Sequence, residues 1–431
     1  YMEIELQNIK GTKDFLPEEQ VIRNRITDIL KQNFEKYGYL PLETPILNAY
    51  DLLKYKYEEG AEILNEVYKF KDQGKREIGL RYDLTVPFCK VIGLNQDLTM
   101  PFRRYEIGKV FRDGPVKLGR AREFYQCDID VVGIDGRYIE AEQMLMVKNV
   151  FNQLNIPIVI KWNNRKLMSG LLIYANIPDD LTEKAIGLID RLEKISFEEL
   201  VAEFNAIGVN ENTVKQILDL FNKALGEYNE MFANTDIQIL KEGLYECNEL
   251  NDIINKLNIS SSCEFSPKLA RGLSIYTGTV YEFFDKEKRI TSSLGGGGRY
   301  NKIITEFINN GQSYPAVGLC FGLEPIYAIL SKEKQDSFVD VFIVPMGTEI
   351  ECLNLATVLR DNGIKTLIEM NNKKVKKSFE YANKTNIKYV IVVGSNEIES
   401  GQYALKNMQN GEQVNVSIEE MLKILKNNWI F

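Results

Sequence analysis

Two different orders of secondary structure meet at a charged segment, Ser331-Lys332-Glu333-Lys334-Gln335-Asp336-Ser337. Before it, strand patterns such as Arg104–Phe111 and Phe124–Val132 follow one another without regular intervening helices, which predicts a mainly antiparallel sheet. After it, strand and helix patterns alternate as βαβαβ, which predicts a small α/β domain with parallel pairing. These C-terminal elements are Val339–Val344, Glu349–Asp361, Lys365–Ile368, Val375–Lys384 and Tyr389–Val393.

The change of pattern divides the chain into an α+β part and an α/β part. We expect a core of residues 1–164 and 259–330, in which strand patterns extend over Leu269–Phe284 and Ile290–Leu294. Polar, helix-patterned segments over 165–258 predict a helical insertion subdomain. Residues 331–338 form the expected linker, and 339–431 form the C-terminal domain. A chain of 431 residues has enough material for this many domains.

The chain contains no histidine, and this limits its chemistry. Ser-His-Asp and Cys-His nucleophiles, His-ligated metals and imidazole bases are all excluded. The six cysteines include no C-x-x-C pair, so we expect neither a metal site nor a disulfide framework, but reduced thiols in the cytoplasm. No apolar run has the length of a membrane span, so we expect no membrane partner. The formal net charge of −8 argues against general nucleic-acid binding but allows a local basic patch.

Such a patch occurs in the loop between the two longest strand patterns, Phe111-Arg112-Asp113-Gly114-Pro115-Val116-Lys117-Leu118-Gly119-Arg120-Ala121-Arg122. It carries four basic residues and one acidic residue. Guanidinium groups on a strand-supported loop are suited to polyphosphate or RNA phosphate, because arginine offers a bidentate fork. A solvated loop that forms only surface ion pairs is an alternative interpretation of equal weight.

Three further segments could carry chemistry, and each has a structural alternative. Gly295–Gly298 allows close approach of a backbone, or is a flexible hairpin. Arg271 in an otherwise apolar setting needs an anionic ligand, or a structural pair such as Glu282. Asp83 and Thr85 lie two apart on one face, where they could hold an ammonium and a carboxylate, or cap a helix near Pro87.

Taken together, these segments resemble the class II aminoacyl-tRNA synthetases, and specifically the histidyl-tRNA synthetase family. Ile9-Lys10-Gly11-Thr12-Lys13-Asp14-Phe15-Leu16-Pro17 resembles its N-terminal signature, and Thr44-Pro45 the end of motif 1. The other similar segments are Arg81-Tyr82-Asp83-Leu84-Thr85 (amino-acid binding), Phe111 to Asp128 (motif 2), Arg271-Gly272-Leu273 with Tyr276-Thr277-Gly278 and Gly296 to Tyr300 (histidine signatures), and Ala316 to Glu324 (motif 3). The C-terminal unit resembles the anticodon-binding domain of the family. The resemblance covers essentially the whole chain.

The resemblance implies activation of L-histidine by ATP with Mg²⁺ bound to the nucleotide, followed by transfer to tRNA-His in a cytoplasmic homodimer. The implied catalytic residues are Arg112 and Arg271. The implied ATP-binding residues are Arg112, Glu123, Phe124, Gly322 and Glu324. Histidine binding is implied for Asp83, Thr85, Gln126, Asp130, Arg271, Tyr276, Gly296 and Tyr300, with Asp130 and Tyr276 reading the imidazole. Lys117 and Arg120 are implied to contact tRNA.

The sequence departs from the family pattern at two places. Glu324 is followed by Pro325, where the family has an arginine that grips the distal phosphates of ATP. Ser274 and Ile275 replace an Asp and a Tyr of the first histidine signature. Losing a charged contact to a polyphosphate could cost a few kcal/mol.

Two other functions remain open at this point. One is a non-catalytic, histidine-binding relative similar to the regulatory subunit of ATP phosphoribosyltransferase, which residues 339–431 argue against. The other is a paralogue that activates an amino acid for an acceptor other than tRNA.

Overall fold

The chain, in a computed structural model, divides into two compact units. One unit comprises Tyr1–Leu16 and Ile22–Leu330, and the other comprises Pro17–Val21 and Ser331–Phe431. The structure describes residues 6–55, 62–116, 121–192, 195–271, 275–332 and 337–427. Ser274, one of the two departures in the first histidine signature, lies outside these ranges, as do Lys117 and Arg120.

The first unit contains most of the helices and strands. Its first half consists of α1 (Pro17–Lys36, which belongs to this unit from Ile22 onward), β1 (Leu40–Pro41), β2 (Leu47–Ala49), α2 (Tyr50–Lys54), β3 (Lys69–Lys71), β4 (Glu77–Leu80), α3 (Thr85–Leu94), β5 (Phe102–Phe111), β6 (Glu123–Val132), α4 (Tyr138–Gln153) and β7 (Ile158–Asn164). Its second half consists of α5 (Arg165–Tyr174), α6 (Thr182–Ile189), α7 (Phe197–Ala206), α8 (Glu211–Leu220), α9 (Leu225–Met231), α10 (Gln238–Lys256), β8 (Cys263–Phe265), β9 (Thr279–Asp285), β10 (Gly295–Arg299), α11 (Asn301–Ile308), β11 (Ala316–Gly322) and α12 (Leu323–Leu330). Short 3₁₀ helices occupy Glu62–Glu66, Asp179–Leu181 and Ser260–Ser262.

An eight-stranded sheet organises this unit, in the order β1-β5-β6-β11-β10-β9-β7-β8. Its central pairs are antiparallel, and only the edge pairs β1–β5 and β7–β8 are parallel. The pair β5–β6 is in register over ten residues on each strand. The loop that joins β5 to β6 therefore begins and ends at one end of a long, regular ladder. The mainly antiparallel sheet predicted from the sequence is confirmed.

Packing against the sheet follows the periodicity of the sequence. On α1 the apolar residues Ile22, Ile26, Leu30 and Phe34 recur every four positions and are all buried. Phe34 contacts the rings of Tyr105 and Phe321 on the sheet. Such residues cover one face of the sheet and leave the other face for polar side chains.

The glycine run forms a strand, which was not among the strands predicted. Gly295–Gly298 lies in β10, between β9 and β11, and pairs with both. The predicted strand at Ile290–Leu294 is wrong, because these residues form the turn before β10. Of the strand predicted over Leu269–Phe284, the described residues form a strand at Thr279–Asp285. Pairing on both sides stabilises a glycine strand despite its low intrinsic β-propensity, because the flanking strands determine the backbone.

Helices α5 to α10 cover most of the region for which we expected a helical insertion. Another small sheet, in the order β2-β4-β3, lies near the start of the chain. Across the described ranges, no helix combines the length and apolar character needed to cross a membrane.

The second unit has its own sheet and its own hydrophobic core. Its sheet has the order β13-β12-β14-β15-β16, in which β12 is parallel to β13 and β14. The predicted βαβαβ order is thereby confirmed, and an antiparallel hairpin and two helices extend it. The elements are β12 (Val341–Pro345), α13 (Glu349–Asp361), β13 (Thr366–Ile368), α14 (Val375–Lys384), β14 (Tyr389–Val393), α15 (Ser395–Ser400), β15 (Tyr403–Asn407), β16 (Gln413–Val416) and α16 (Ile418–Asn427).

Candidate active site

A cavity of about 300 Å³ lies on the polar face of the large sheet. Because side chains alternate along a strand, Gln126, Asp128 and Asp130 of β6 share this face. The register places Glu106 of β5 and Cys320 of β11 opposite Asp128. The cavity is therefore built mainly on the middle strands, with one wall from the segment around Asp83.

All the predicted histidine-binding residues, together with Arg112, line this one cavity. They are Asp83, Thr85, Arg112, Gln126, Asp130, Arg271, Tyr276, Gly296 and Tyr300. In sequence these residues extend over more than two hundred positions, so the fold brings distant segments together. The other residues of the lining are Asp128, Ile275, Gly297, Gly318, Leu319 and Cys320.

Asp130 lies at one end of the row that Gln126, Asp128 and Asp130 form on β6, and it has two partners within the protein. Its Oδ2 is 2.5 Å from Nη2 of Arg104, which is fully buried, and its Oδ1 accepts a hydrogen bond from the Tyr300 hydroxyl. Burial and the neighbouring Asp130 charge raise the pKa of Tyr300 well above its ordinary range, so the hydroxyl stays protonated and donates. Both carboxylate oxygens of Asp130 thus have a partner within the protein.

Asp128, next along the row, has a different environment. It is 5% exposed, and among the described residues its Oδ1 has no hydrogen-bond partner. Burial, opposed by the Arg104 charge and reinforced by Asp130, raises the pKa of this carboxyl from 3.8 to about 7. A buried carboxyl with such a pKa can exist in either charge state near neutral pH.

Two glycines make room for the charged side chains. A Cβ at Gly318 would lie 1.9 Å from Oδ1 of Asp130, and one at Gly296 would lie 2.2 Å from Nη1 of Arg271. Both distances are far below van der Waals contact. Any side chain at either position would displace a charged group of the cavity.

The two predicted catalytic arginines both line the cavity. Arg271 lies 5.4 Å from the centroid of the Tyr276 ring, and its Nη1 is 3.7 Å from Glu282 Oε1. That Nη1 is buried and has no hydrogen-bond partner within the described ranges. The Nε of Arg112 donates to the Tyr82 carbonyl at 3.1 Å, and its guanidinium lies 5.1 Å from the centroid of the Phe124 ring. The Nη1 of Arg271 can therefore donate to an anion in the cavity, which the Arg112 guanidinium also lines.

Asp83 lines the cavity and also caps the start of α3. Its Oδ1 accepts the backbone N–H of Val86 at 3.0 Å, in the first turn of α3. The capping alternative considered from the sequence is therefore realised, and it fixes the carboxylate at the cavity wall.

The other predicted ATP-binding residues do not appear in the lining of this cavity. Phe124 is two residues from Gln126 on the same face of β6. Gly322 of β11 pairs with Gln126 of β6. Glu123 forms a 2.5 Å ion pair with Lys109. Because each residue of a strand adds roughly 3.3 Å, Phe124 lies about 20 Å along β6 from Asp130. The face of the sheet that carries the cavity therefore continues beyond the cavity to Phe124.

Glu324 is bound to Arg23 of α1 by two hydrogen bonds, of 2.6 and 2.9 Å. The Arg23 guanidinium is 3.8 Å from the centroid of the Phe15 ring and 5.7 Å from that of Tyr125. Tyr125 alternates with Gln126 and so belongs to the opposite face of the sheet. The Glu324 carboxylate therefore serves a partly buried ion pair with α1.

The basic loop is secured at its base. The Arg112 N–H donates to the Arg122 carbonyl at 2.9 Å, and Arg122 pairs with Asp113 at 3.1 Å. The Arg122 guanidinium is thus paired within the loop, whereas that of Arg112 lines the cavity. The alternative of a purely solvated loop does not apply to Arg112.

Sequence reasoning missed Asp128, Gly318 and Cys320. The signal for Asp128 was present, because the alternation of Cys127, Ile129 and Val131 against Asp128 and Asp130 puts both carboxylates on one face. Gly318 and Cys320 come from the neighbouring strand, whose register no local pattern reveals.

Comparisons with known proteins agree with this geometry. The histidyl-tRNA synthetase family matches residues 11–326, and an anticodon binding domain matches residues 340–428. A protein of Bacillus cereus named histidine--tRNA ligase 1 is 47% identical over 431 residues, which cover 98% of this chain and all of the relative. One of Shouchella clausii named histidine--tRNA ligase 2 is 43% identical, covering 95% and 98% of the two chains.

A solved structure leads to the same family. The crystal structure of histidyl-tRNA synthetase from Nostoc sp. PCC 7120 superposes with a TM-score of 0.88 at 27% identity, over 99% of this chain and all of that one. The resemblance drawn from the motifs and the fold class predicted with it are confirmed. The chain belongs to the histidyl-tRNA synthetase family, whose members are aminoacyl-tRNA ligases.

Proposed function

We propose that this chain is a histidine–tRNA ligase, which activates L-histidine with ATP and transfers the histidyl group to the 3′ end of tRNA-His. The observation that carries the proposal is the single cavity in which Arg112 and Arg271 lie close to the row of Gln126, Asp128 and Asp130. A zwitterionic amino acid needs both signs of charge, and an adenylate needs the guanidinium groups.

In this proposal the α-ammonium of histidine binds Asp83, Thr85 and Gln126. Buried Oε1 of Gln126 has no hydrogen-bond partner within the described chain and can accept an ammonium N–H. The side chain of histidine extends along the row toward Asp130, Tyr276 and Tyr300, with Gly296 leaving space beneath it. The histidine carboxylate faces Arg271.

ATP would bind across Arg112, with its adenine over Phe124 beside Glu123. Gly322 and Glu324 would contribute backbone at the junction of β11 and α12, because the Glu324 carboxylate is engaged by Arg23. The Nη1 of Arg271, which has no hydrogen-bond partner among the described residues, and the cavity position of Arg112 fit the α-phosphate.

Mg²⁺ would arrive with ATP. Within the described ranges no three Cys, Asp or Glu side chains are grouped so as to hold a metal, so phosphate oxygens would supply most of the ligands. Glu282, on the strand next to the glycine run, can supply one carboxylate oxygen beside Arg271. The ion, when bound, would neutralise charge on the departing pyrophosphate.

The chemistry needs no imidazole. A histidine carboxylate oxygen attacks the α-phosphorus, the bond to pyrophosphate breaks, and Arg112 and Arg271 stabilise the negative charge that develops. In the second step, a ribose hydroxyl of the terminal adenosine attacks the carbonyl carbon and AMP leaves. The complete lack of histidine in the chain is therefore compatible with the reaction.

We further propose that Lys117 and Arg120 contact the acceptor end of tRNA, that the second unit binds the anticodon, and that the chain forms a homodimer. Leu40 of β1 precedes Pro45, where the similarity to motif 1 ends, and Leu47 of β2 follows it by two residues. They are 63% and 54% exposed, which favours a partner along this segment. The six cysteines, which form no disulfide in the described chain, favour a reducing compartment such as the cytoplasm.

The test is histidine-dependent exchange between ATP and labelled pyrophosphate, with each of the other amino acids as a control. We expect exchange with histidine alone. The absence of exchange with any amino acid would instead favour the histidine-binding relative without catalysis.

A further inference from the structure

The N-terminal signature, residues 9–17, has no part in the function proposed above, yet it begins with a well-defined turn. The Thr12 N–H donates to the Ile9 carbonyl at 2.9 Å, and the Thr12 hydroxyl donates to the same oxygen at 2.8 Å. Between these two residues, Gly11 has a φ of +88°, a positive value that favours glycine in a turn. The turn therefore fixes the direction of the Gly11 carbonyl.

The Gly11 carbonyl is directed at the end of the basic loop, residues 111–122. It accepts the backbone N–H of Arg122 at 2.8 Å. A Cβ on Gly11 would lie 2.7 Å from Cγ of Arg122 and 2.8 Å from Cγ2 of Val116. Because Gly11 has no side chain, both arms of the basic loop can pack against its α-carbon.

A second segment, distant in sequence, contacts the first arm of the basic loop. The Asp113 N–H donates to the Glu66 carbonyl at 2.7 Å, and a Cβ on Gly114 would lie 2.6 Å from Oε1 of Glu66. The Arg122 side chain joins the two arms, because its Nε donates to the Gly114 carbonyl at 3.3 Å and its Nη2 pairs with Asp113 at 3.1 Å. The base of the basic loop is therefore held by contacts beyond the end of the β5–β6 ladder.

These contacts restrict the directions in which the basic loop can extend. Val116 and Arg122 both lie beside Gly11, so the chain between them leaves from and returns to one place. The shorter a chain segment between two fixed ends, the fewer conformations are open to it. The two basic residues proposed to contact tRNA belong to this short segment, so Gly11 influences where they can reach.

We propose that Gly11 is a positioning residue for the transfer to tRNA, because by holding Val116 and Arg122 it directs the basic loop toward the acceptor end. The inference rests on the proposed function. Arg112 depends less on Gly11. Its backbone N–H donates to the Arg122 carbonyl at 2.9 Å, and its Nε donates to the Tyr82 carbonyl at 3.1 Å. Loss of the Gly11 contact should therefore impair the charging of tRNA more than the formation of the adenylate.

The test measures the charging of tRNA-His and histidine-dependent pyrophosphate exchange in Gly11→Ala. Since a misplacement of about 1 Å can cost about 100-fold in rate, we expect kcat/KM for tRNA-His to fall by about tenfold or more. The KM for histidine in pyrophosphate exchange should not change. Gly208→Ala is the matched control, because Gly208 has a φ of +85° and a Cβ there would meet nothing within 4 Å. It should leave both quantities unchanged.

Combined substitutions separate positioning of the loop from a general loss of stability. In a chain with Arg122→Ala and Val116→Ala, the side-chain atoms that the new methyl group would meet are absent. Gly11→Ala should therefore cause a smaller further loss of charging in that chain than in the unsubstituted protein. The same loss in both would contradict the proposal, because the effect of Gly11→Ala would not pass through the loop.

The results also separate the role of Gly11 from the proposed function. If Gly11→Ala fails to fold, Thr12→Val, which removes the hydroxyl donor of the turn, takes its place with the same expected split between tRNA-His and histidine. An unchanged kcat/KM for tRNA-His, or equal losses in charging and exchange, would overturn the role of Gly11 alone. No charging by the unsubstituted chain would reject the proposed function, and the role of Gly11 with it.

Discussion

At the scale of single residues, the cavity brings groups of both charge signs together on one face of a sheet. The carboxyl groups of Asp128 and Asp130 and the guanidinium groups of Arg112 and Arg271 line the same cavity. Asp130 is neutralised by Arg104, so the side chains that remain available are those a zwitterionic substrate would need. The proposed chemistry follows from this distribution of charge.

The two arginines should be essential for adenylate formation. Arg112→Ala and Arg271→Ala each remove a guanidinium from the site where charge develops, and we expect pyrophosphate exchange to fall by about 100-fold or more. Arg289→Ala, which removes an arginine paired with Asp285 outside the cavity, should leave exchange within about twofold. Exchange near the normal rate in either of the first two variants would show that these residues do not act on phosphate.

The raised pKa of Asp128 predicts a pH-dependent stability. Because burial raises the folded-state pKa from 3.8 to about 7, the folded protein binds this proton more tightly than the unfolded chain does. The stabilisation is complete below pH 4 and is lost as the pH rises to 7. Asp128→Asn, which stays neutral, should therefore melt close to the unsubstituted protein at pH 4 and a few degrees above it at pH 8. The melting temperatures are measured by differential scanning calorimetry. The same difference in melting temperature between the two proteins at pH 4 and at pH 8 would contradict the raised pKa.

At the scale of elements, much of the fold could be predicted, and the exceptions have physical causes. Helices α13 and α14 and strand β14 occur where the periodicity indicated, because local pattern and tertiary packing agree there. Strand β10 was missed, since four glycines have no strand propensity of their own and are held by β9 and β11. The register that brings Cys320 and Gly318 to the cavity is likewise set by the neighbouring strands.

Strand β11 should tolerate no side chain at Gly318. A methyl group there would meet Asp130 Oδ1, and we expect Gly318→Ala to raise the KM for histidine in pyrophosphate exchange by about tenfold or more, with a smaller effect on the KM for ATP. Gly187→Ala is the control, because a Cβ there meets nothing within 4 Å and the residue lies within α6. That change should leave both KM values unchanged and stabilise the fold by about 0.5–1 kcal/mol. An unaltered KM for histidine in Gly318→Ala would remove Asp130 from the substrate site.

At the scale of the whole molecule, we expect a homodimer formed through the segment that resembles motif 1. Light scattering at micromolar concentration should give twice the mass of the 49.5 kDa chain. Leu40→Glu combined with Leu47→Glu should shift the mass toward the monomer, because two charges would be buried in the interface. Tyr245→Glu, at a 70% exposed position on α10, should not. A monomeric mass for the unsubstituted chain would contradict the dimer.

The division into two units also has a functional meaning in this account. The first unit contains the cavity and would activate histidine, and the second has its own core and matches an anticodon binding domain. Amino-acid activation alone would need only the first unit. A second unit of this kind is expected when the histidyl group is transferred to tRNA.

Charging of tRNA-His with labelled histidine by the full chain, in the presence of ATP and Mg²⁺, tests the central claim most directly. We predict ATP-dependent formation of histidyl-tRNA, no charging of a tRNA specific for another amino acid, and loss of charging in Arg112→Ala. Histidine-dependent pyrophosphate exchange without any charged tRNA would contradict the account, because it would identify an enzyme that activates histidine for another acceptor.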